Sequence, residues 1–519
     1  MRLLSTRKAK IAFEIKRFKN FMSIFTRNRR GMLGIAILVF FIVLATVAPL
    51  ITPYDPIRLP AHPTNPPLAD RFAKPIWYKY LVPGEELSEN VEPMRDPHFK
   101  TATSIEEFEF TTNLAGQSIS TPQFISDMGK GEEKGCVAIV FNREEDQDPF
   151  GEVKANLTKV FNYPHTAPPK RFVGDAAILV KTSEDVPVKT VVVIEKEGGE
   201  RRLEWWNQTF ETNGTKWITS YPYYIDSNSD PFWLEQKFGS EWKINPAKTM
   251  FSEPGNYRYV LEIMFNDTQR PRGEKVEATV YIDDFHIRVL GDSFGLFGTD
   301  QYGRDIFTQL VYGARISLLV GLLSALFSTA IGLIIGLTAG YIGKFVDQIL
   351  MRFTDMLLVI PDTPLYIVLM AVLRPSVWNL ILLITLIGWT GFARIVRSSV
   401  LSIRERPFIE AAKAVGAGKF RIIVRHIMPN VMNLVYVTLA MSVPYAITSE
   451  AWLSWLGLYD PYVMTWGRML HDAQSVPTGI EMWWWIVPPG LCIALISLSF
   501  ILLGYALDEI LNPKLRKRY

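Results

Sequence analysis

Few side chains in this 519-residue sequence suit covalent or metal chemistry, and their spacing gathers none of them into a reactive set. The two cysteines, Cys136 in an acidic polar stretch and Cys492 in an apolar run, supply neither a disulfide framework nor a thiolate metal site. Two carboxylates are conspicuous for their surroundings instead. Asp362 interrupts an apolar run as Pro361-Asp362-Thr363-Pro364, and Glu450 sits near the end of another. An ionisable residue at bilayer depth is costly and marks a substrate or ion path by default. Asp362 also has a competing and preferred role, because Asp or Thr ahead of Pro suits the cap of a helix restarting at Pro364. Arg352 and Asp355, three residues apart, are expected to pair on one helix face. The remaining chemistry is that of docking. Glu410-Ala411-Ala412, then Gly416, then His426 to Asn430 run through a basic stretch. Small Ala residues allow close approach, Glu410 can meet a basic partner or cap a helix, and Gly416 permits a turn between two helical pieces. Taken singly, Lys413, Lys419, Arg421 and Arg425 read as a basic loop at a lipid surface.

Apolar runs position these residues. The chain is 48% hydrophobic and 13% aromatic, too apolar for a soluble protein of mixed composition and too long for one compact domain. Residues 31–52 carry no charge, and residues 1–30 ahead of them hold ten Lys or Arg against one acid, Glu14. About 20 apolar residues cross a hydrocarbon core, so this run is expected to be a retained first span and not a cleaved leader. Five more candidate spans follow at about 315–341, 354–373, 377–393, 431–452 and 485–507. Six spans put both ends on one side, where basic residues should collect. They do: within the 394–430 loop, residues 394–425 hold eight Lys or Arg against Glu405 and Glu410, and the tail 513–519 holds Lys514, Arg516, Lys517 and Arg518. Both segments are placed in the cytoplasm. In the second span, Gly332, Gly336 and Gly340 lay a groove of small residues along one helix face, where another helix can pack closely.

The stretch between the first two spans differs in kind. Residues 53–300 hold 27 Lys+Arg against 39 Asp+Glu, a net of −12 within a chain of net +3, which leaves +15 elsewhere. That basic remainder lies beside apolar runs without interleaved aromatics, so its partner is membrane lipid and not nucleic acid. Short alternating or β-branched runs at 137–141, 177–180, 190–194, 257–264 and 276–290 are separated by turn residues, and no helical periodicity of comparable strength occurs there. The expected fold is therefore an all-α polytopic membrane domain of six transmembrane helices with a mainly-β domain, β-sandwich or jelly-roll-like, inserted over 58–292 on the extracytoplasmic side.

The spacing from Glu410 to Pro429 resembles the EAA loop of ABC transporter permeases of the dipeptide/oligopeptide, binding-protein-dependent importer family. Its Glu-Ala-Ala start, Gly at the seventh position and Pro at the twentieth all match. In that family the loop forms the short helix that docks on the ATPase subunit. The resemblance thus implies a coupling site at Glu410, Ala411, Ala412, Gly416, His426 and Pro429, with no metal or catalytic role for His426. A second run, Gly298, Thr299, Asp300, Gly303, Arg304, Asp305, Gly313 and Arg315, is similar to one that precedes the second span in peptide permeases. The resemblance covers nearly all of residues 26–56 and 296–517. It leaves 58–292 as an insertion where ordinary members have a short link.

What the resemblance implies is the permease subunit of an ATP-driven importer of di- or oligopeptides, with oligosaccharide as the alternative cargo and a core over 296–512. The implied partners are a homologous second permease, two ABC ATPase subunits, an extracytoplasmic substrate-binding protein and the lipid of the cytoplasmic membrane. No cofactor or metal is implied in this chain, since ATP and Mg are bound by the partners. The sequence has no Gly-x-x-x-x-Gly-Lys-Ser/Thr phosphate loop, and residues 416–419 are too short to form one. It reads as a transport subunit and not an enzyme, with Asp362 and Glu450 as candidates for the translocation path. Two rival classes fare worse. A membrane-anchored extracellular sensor or adhesion protein needs neither six spans nor such a loop. A self-contained secondary transporter should show inverted repeats and paired intramembrane charges, and only Asp362 speaks for that.

Overall fold

The computed structural model describes residues 22–511 except 59–67, 83, 85, 115–117, 131–134, 183–185, 199–200, 212–213, 221–230, 244, 269–271 and 273. The basic residues 1–21 and the tail 513–519 lie outside the described residues. The chain forms two compact units, Met1–Ile57 with Ile306–Tyr519, and Arg58–Asp305.

In the helical unit the first apolar run forms α1 (Arg29–Ile51), started by Asn28, whose Oδ1 accepts the Gly31 N–H at 3.0 Å. That meets one of the N–H groups a helix start leaves open. The second span begins well before residue 315, as α2 (Ile306–Ile342). Its 37 residues extend about 55 Å at 1.5 Å per residue, more than a hydrocarbon core requires.

The third span, expected over 354–373 with an interruption at 361–364, begins ten residues earlier and is broken there. It is two helices, α3 (Lys344–Val359) and α4 (Asp362–Leu373), meeting at 89°. Pro361 has no N–H for the helix ladder and forces Ile360 into extended backbone, so α3 stops there. α4 starts at Asp362 and not at Pro364. Nor is Asp362 its cap: Pro361 holds that position, and the Asp362 carboxylate takes the adjoining Thr363 N–H at 2.8 Å.

The fourth span is α5 (Val377–Gly388), continued by α6 (Thr390–Arg404). α6 packs along α3, and this corrects the pairing expected within α3. Asp355 bonds Arg394 across the seam instead of Arg352, while Arg397 makes a bidentate pair with Asp347 at 2.5 and 2.7 Å. After α7 (Pro407–Ala414) and α8 (Lys419–Ile422), a π-helical turn Ile423–Ile427 leads into α9 (Met428–Trp455). α10 (Trp466–Gln474) precedes the last span, α11 (Trp483–Leu511). Among the described residues five helices are long and apolar enough to cross a membrane, and the bent pair α3–α4 makes a sixth candidate span.

α2 lies against α1, α5, α6 and α9. Its three glycines let α6 approach closely. A Cβ at Gly336 would stand 2.6 Å from both Ala393 O and Val396 Cβ, one at Gly332 2.8 Å from Trp389 O, and one at Gly340 2.8 Å from Val400 Cβ.

The other unit is the expected two-sheet sandwich, all antiparallel. Its strands are β1 (Glu109–Thr112), β2 (Gln123–Ile125), β3 (Cys136–Arg143), β4 (Gly151–Tyr163), β5 (Arg171–Thr182), β6 (Val188–Lys196), β7 (Arg202–Phe210), β8 (Ile218–Thr219), β9 (Gly255–Asp267) and β10 (Val276–Leu290). One sheet is ordered β1-β4-β9-β6-β7 and the other β2-β3-β10-β5-β8. Phe172, Trp205, Tyr257, Tyr259 and Phe285 fill the space between them. β3 and β9 are pinned by an ion pair, Arg143 to Asp267 at 3.2 Å, with both side chains fully buried. The short helices Pro231–Phe238 and Pro246–Met250 were not expected in this stretch.

This unit runs on to Asp305, so the motif residues Gly298 to Asp305 belong to it and not to a helical core starting at 296. The N–H groups of Phe72, Lys74 and Ile76 bond the carbonyls of Asp300, Asp292 and Gly295 at 3.1, 2.7 and 3.1 Å. The chain therefore enters and leaves the sandwich side by side.

Candidate functional site

The Glu410 to Pro429 segment is built around an exposed helix end. Pro407 suits the first helical position of α7, where its missing N–H is no loss. Ile409, fully buried, anchors the helix among Val396, Val400, Ile403, Ile422 and Ile427. Glu410 and Ala411 face outward and Ala412 is half-buried. Two bonds then close the helix: Gly416 N–H to Lys413 O at 2.9 Å and Ala417 N–H to Ala412 O at 3.0 Å. This pattern needs a left-handed residue just past the helix end, and Gly416 supplies it with φ 83°. His426 is half-buried, its carbonyl held by the Asn430 amide at 2.6 Å, and Pro429 lies in the first turn of α9.

The second motif is a buried knot and not an open site. Thr299 Oγ1 donates to Asp70 O at 2.5 Å and accepts the Ala73 N–H at 2.9 Å. Asp300, fully buried, accepts the N–H groups of Tyr302 and Arg304 and binds the Arg304 Nε at 2.6 Å, while Asp305 is also buried. Gly298 has φ 71° and Gly303 φ 79°; a Cβ on Gly298 would strike Ala73 O. Further on, Gly313 admits the Trp466 ring, and Arg315 Nε donates to Ala45 O at 2.5 Å.

The two membrane-depth carboxylates are separate in kind. Asp362 lines a cavity of about 620 Å³ where α3 breaks into α4, and accepts the Tyr445 hydroxyl at 2.7 Å. Glu450 is fully buried in α9, bonded by the Ser454 hydroxyl at 2.7 Å, and is not among the residues lining that cavity.

Residues 332–517 match the family described as the binding-protein-dependent transport system inner membrane component, and residues 16–75 match the N-terminal TM domain of oligopeptide transport permease C. The dipeptide transport system permease protein of Bacillus subtilis (strain 168) is 42% identical over 224 residues, 43% of this chain and 69% of that protein. The chain belongs to this permease family. The oligopeptide transport system permease protein of the same organism is 38% identical over 222 residues, 43% of this chain and 72% of its own length. A methionine ABC transporter solved in inward-facing conformations is similar at 17% identity and a TM-score of 0.32, over 38% of this chain and 96% of its own.

In this permease the segment around Gly416 also exposes residues that the spacing did not single out. Val415 is 88% and Phe420 79% exposed, and Phe408 lies beside them in sequence at the head of α7. The available signal was large apolar residues in an otherwise charged loop, off the helix face that Ile409 buries. In the β-rich unit, His98, Asp283 and Asp284 bring ligand atoms within 4.8 Å of one another. Lys130 Nζ already stands 2.7 Å from Asp284 Oδ2, where a cation would sit. Burial pushes the Asp283 carboxyl up to about 6. For Asp284 burial works upward too, but the hydrogen bonds and charges of His98 and Lys130 outweigh it and hold the carboxyl at about 2.

Proposed function

We propose that this chain is the membrane-spanning subunit of an ATP-driven importer of di- or oligopeptides in the cytoplasmic membrane. Separate ATPase subunits bind ATP and Mg and dock on the surface around Glu410 to Gly416. The observation that carries the reading is an exposed helix end: a short helix with Glu410 and Ala411 outward, ended by the Gly416 turn and flanked by the exposed Val415 and Phe420. Apolar side chains this exposed beside charge mark a partner site. The basic loop and tail favour cytoplasmic termini by the positive-inside bias; in this reading the β-rich unit faces outward, where a substrate-binding protein delivers cargo. A homologous second permease completes the path, with Asp362 on its wall. ATP-driven closure of the ATPases moves α7 and tilts the bundle between inward-open and outward-open states, a rigid-body switch.

The inserted segment is narrower than 58–292 in this reading. The family match reaches residue 75, and residues 72–76 pair with 292–300. The link of ordinary members corresponds to those two segments, and the sandwich is grafted between them.

Co-purification of the tagged chain from its native membrane tests the reading. Recovery of an ATPase subunit that is lost with Glu410→Lys or Phe420→Asp supports it. Equal recovery from the variants and the wild type refutes docking at this surface.

A further inference from the structure

The cavity at the α3–α4 break is walled by aliphatic side chains and by hydroxyls from three helices: Thr329 of α2, Thr390 of α6, and Thr438, Ser442 and Tyr445 of α9. Among the described residues that line it, Asp362 alone carries a charge. Its carboxylate is half-buried, bonds only the neutral Tyr445 hydroxyl and the Thr363 N–H and hydroxyl, and pairs with no Lys or Arg among the described residues. One buried hydroxyl of the cavity wall, Thr329 Oγ1, on a residue 4% exposed, is left without a hydrogen bond, while Tyr366, one turn along α4 from Asp362, has its hydroxyl beside that of Tyr445. A carboxylate at this depth without a countercharge is costly. A buried hydroxyl left unmet adds to that cost. Both are relieved by a ligand that brings positive charge and several N–H donors, as an ammonium or guanidinium does.

We infer that this cavity binds the positively charged group of the passing cargo, an ammonium or guanidinium, with Asp362 as its counter-charge. This rests on the reading of the chain as a peptide permease and narrows it. The shared chemistry comes from two sources, the amino terminus that every free peptide carries and the side chains of Lys or Arg. Neutral oligosaccharides offer neither.

The test uses the assembled importer in proteoliposomes, with Cys136→Ala and Cys492→Ala as background and Thr438→Cys as a reporter on the cavity wall. The rate of modification by a cationic methanethiosulfonate over that by an anionic one is expected to fall about tenfold on Asp362→Asn, roughly what one partly screened charge contributes. Asp362→Glu should keep the ratio. An unchanged ratio in Asp362→Asn overturns the inference. ATP-driven uptake of dialanine, alanyl-lysine and alanyl-glutamate separates the sources. A similar loss for all three in Asp362→Asn assigns the amino terminus, a loss confined to alanyl-lysine assigns the side chain, and no loss overturns the role in transport. Should the wild-type complex take up none of the three, the peptide-import reading falls, while the thiol ratio still decides whether the cavity attracts cations.

Discussion

Replacing Gly336 with Ala puts one methyl group into the seam between α2 and α6. The added Cβ would stand 2.6 Å from Ala393 O and 2.6 Å from Val396 Cβ. Ordinary carbon contacts lie at about 3.5–4 Å, so the seam must open by about 1 Å. Ala393 O belongs to the backbone of α6, and no rotamer change can move it away. Overpacking of this kind costs about 1–3 kcal/mol, against a gain of about 1 kcal/mol from replacing Gly with Ala inside a helix. Gly490, inside α11, is the matched control, since a Cβ there meets nothing within 4 Å. It takes the same propensity gain with no steric cost. Gly336→Ala is therefore expected to unfold about 1–3 kcal/mol more easily than Gly490→Ala, read as thermal stability of the purified permease in lipid nanodiscs. The double variant Gly332→Ala/Gly336→Ala should lose less than the sum of its parts, because the first methyl already parts the helices. If Gly336→Ala proves as stable as Gly490→Ala, the α2–α6 contact is not as close as described and the steric argument fails.

The sandwich offers three further tests. Asp267→Ala leaves Arg143 buried without its partner and should destabilise the unit by about 3–5 kcal/mol, while an Arg143→Met/Asp267→Leu pair should restore most of that in urea titrations followed by sheet circular dichroism. Asp283 has its carboxyl raised from 3.8 to about 6, so it holds its proton more tightly folded than unfolded, and stability falls as pH rises through that window. The loss is on the order of 3 kcal/mol at most, and Asp283→Asn should flatten the pH dependence between 4 and 6. The depressed carboxyl of Asp284 acts in the opposite sense and only below about pH 4, which keeps the two apart. Replacing residues 79–291 with a short Gly-Ser link should leave a folded permease that still recovers its ATPase, because the segments at 72–76 and 292–300 are hydrogen-bonded neighbours; failure to accumulate in the membrane would refute the graft.

The sequence by itself determined that apolar spans are present, the family, and the turn that ends α7. These depend on local properties: charge-free apolar length, the side on which basic residues collect, and a spacing in which Gly416 must be left-handed for α7 to end. The strands at 137–141, 177–180, 190–194, 257–264 and 276–290 were legible because both faces of β3, β5 and β6 are largely buried and β9 and β10 alternate. β4 and β7 were not singled out, although β4 alternates in the same way, with Val153, Ala155, Leu157 and Phe161 buried and Lys154 and Asn162 exposed.

Only the tertiary structure decided who meets whom. Asp355 could have reached Arg352 along its own helix, but the packing of α6 against α3 put Arg394 opposite it. Asp362 has the composition of a cap, yet the break at Pro361 turns it toward Tyr445 and a cavity whose walls come from distant parts of the chain. The Gly298 to Asp305 run reads as a lead into the second span, and only folding shows it closing on Asp70 to Lys74. Local propensity fixes where a helix or strand can form; partners across a seam depend on how rigid elements pack, which no single stretch of sequence encodes.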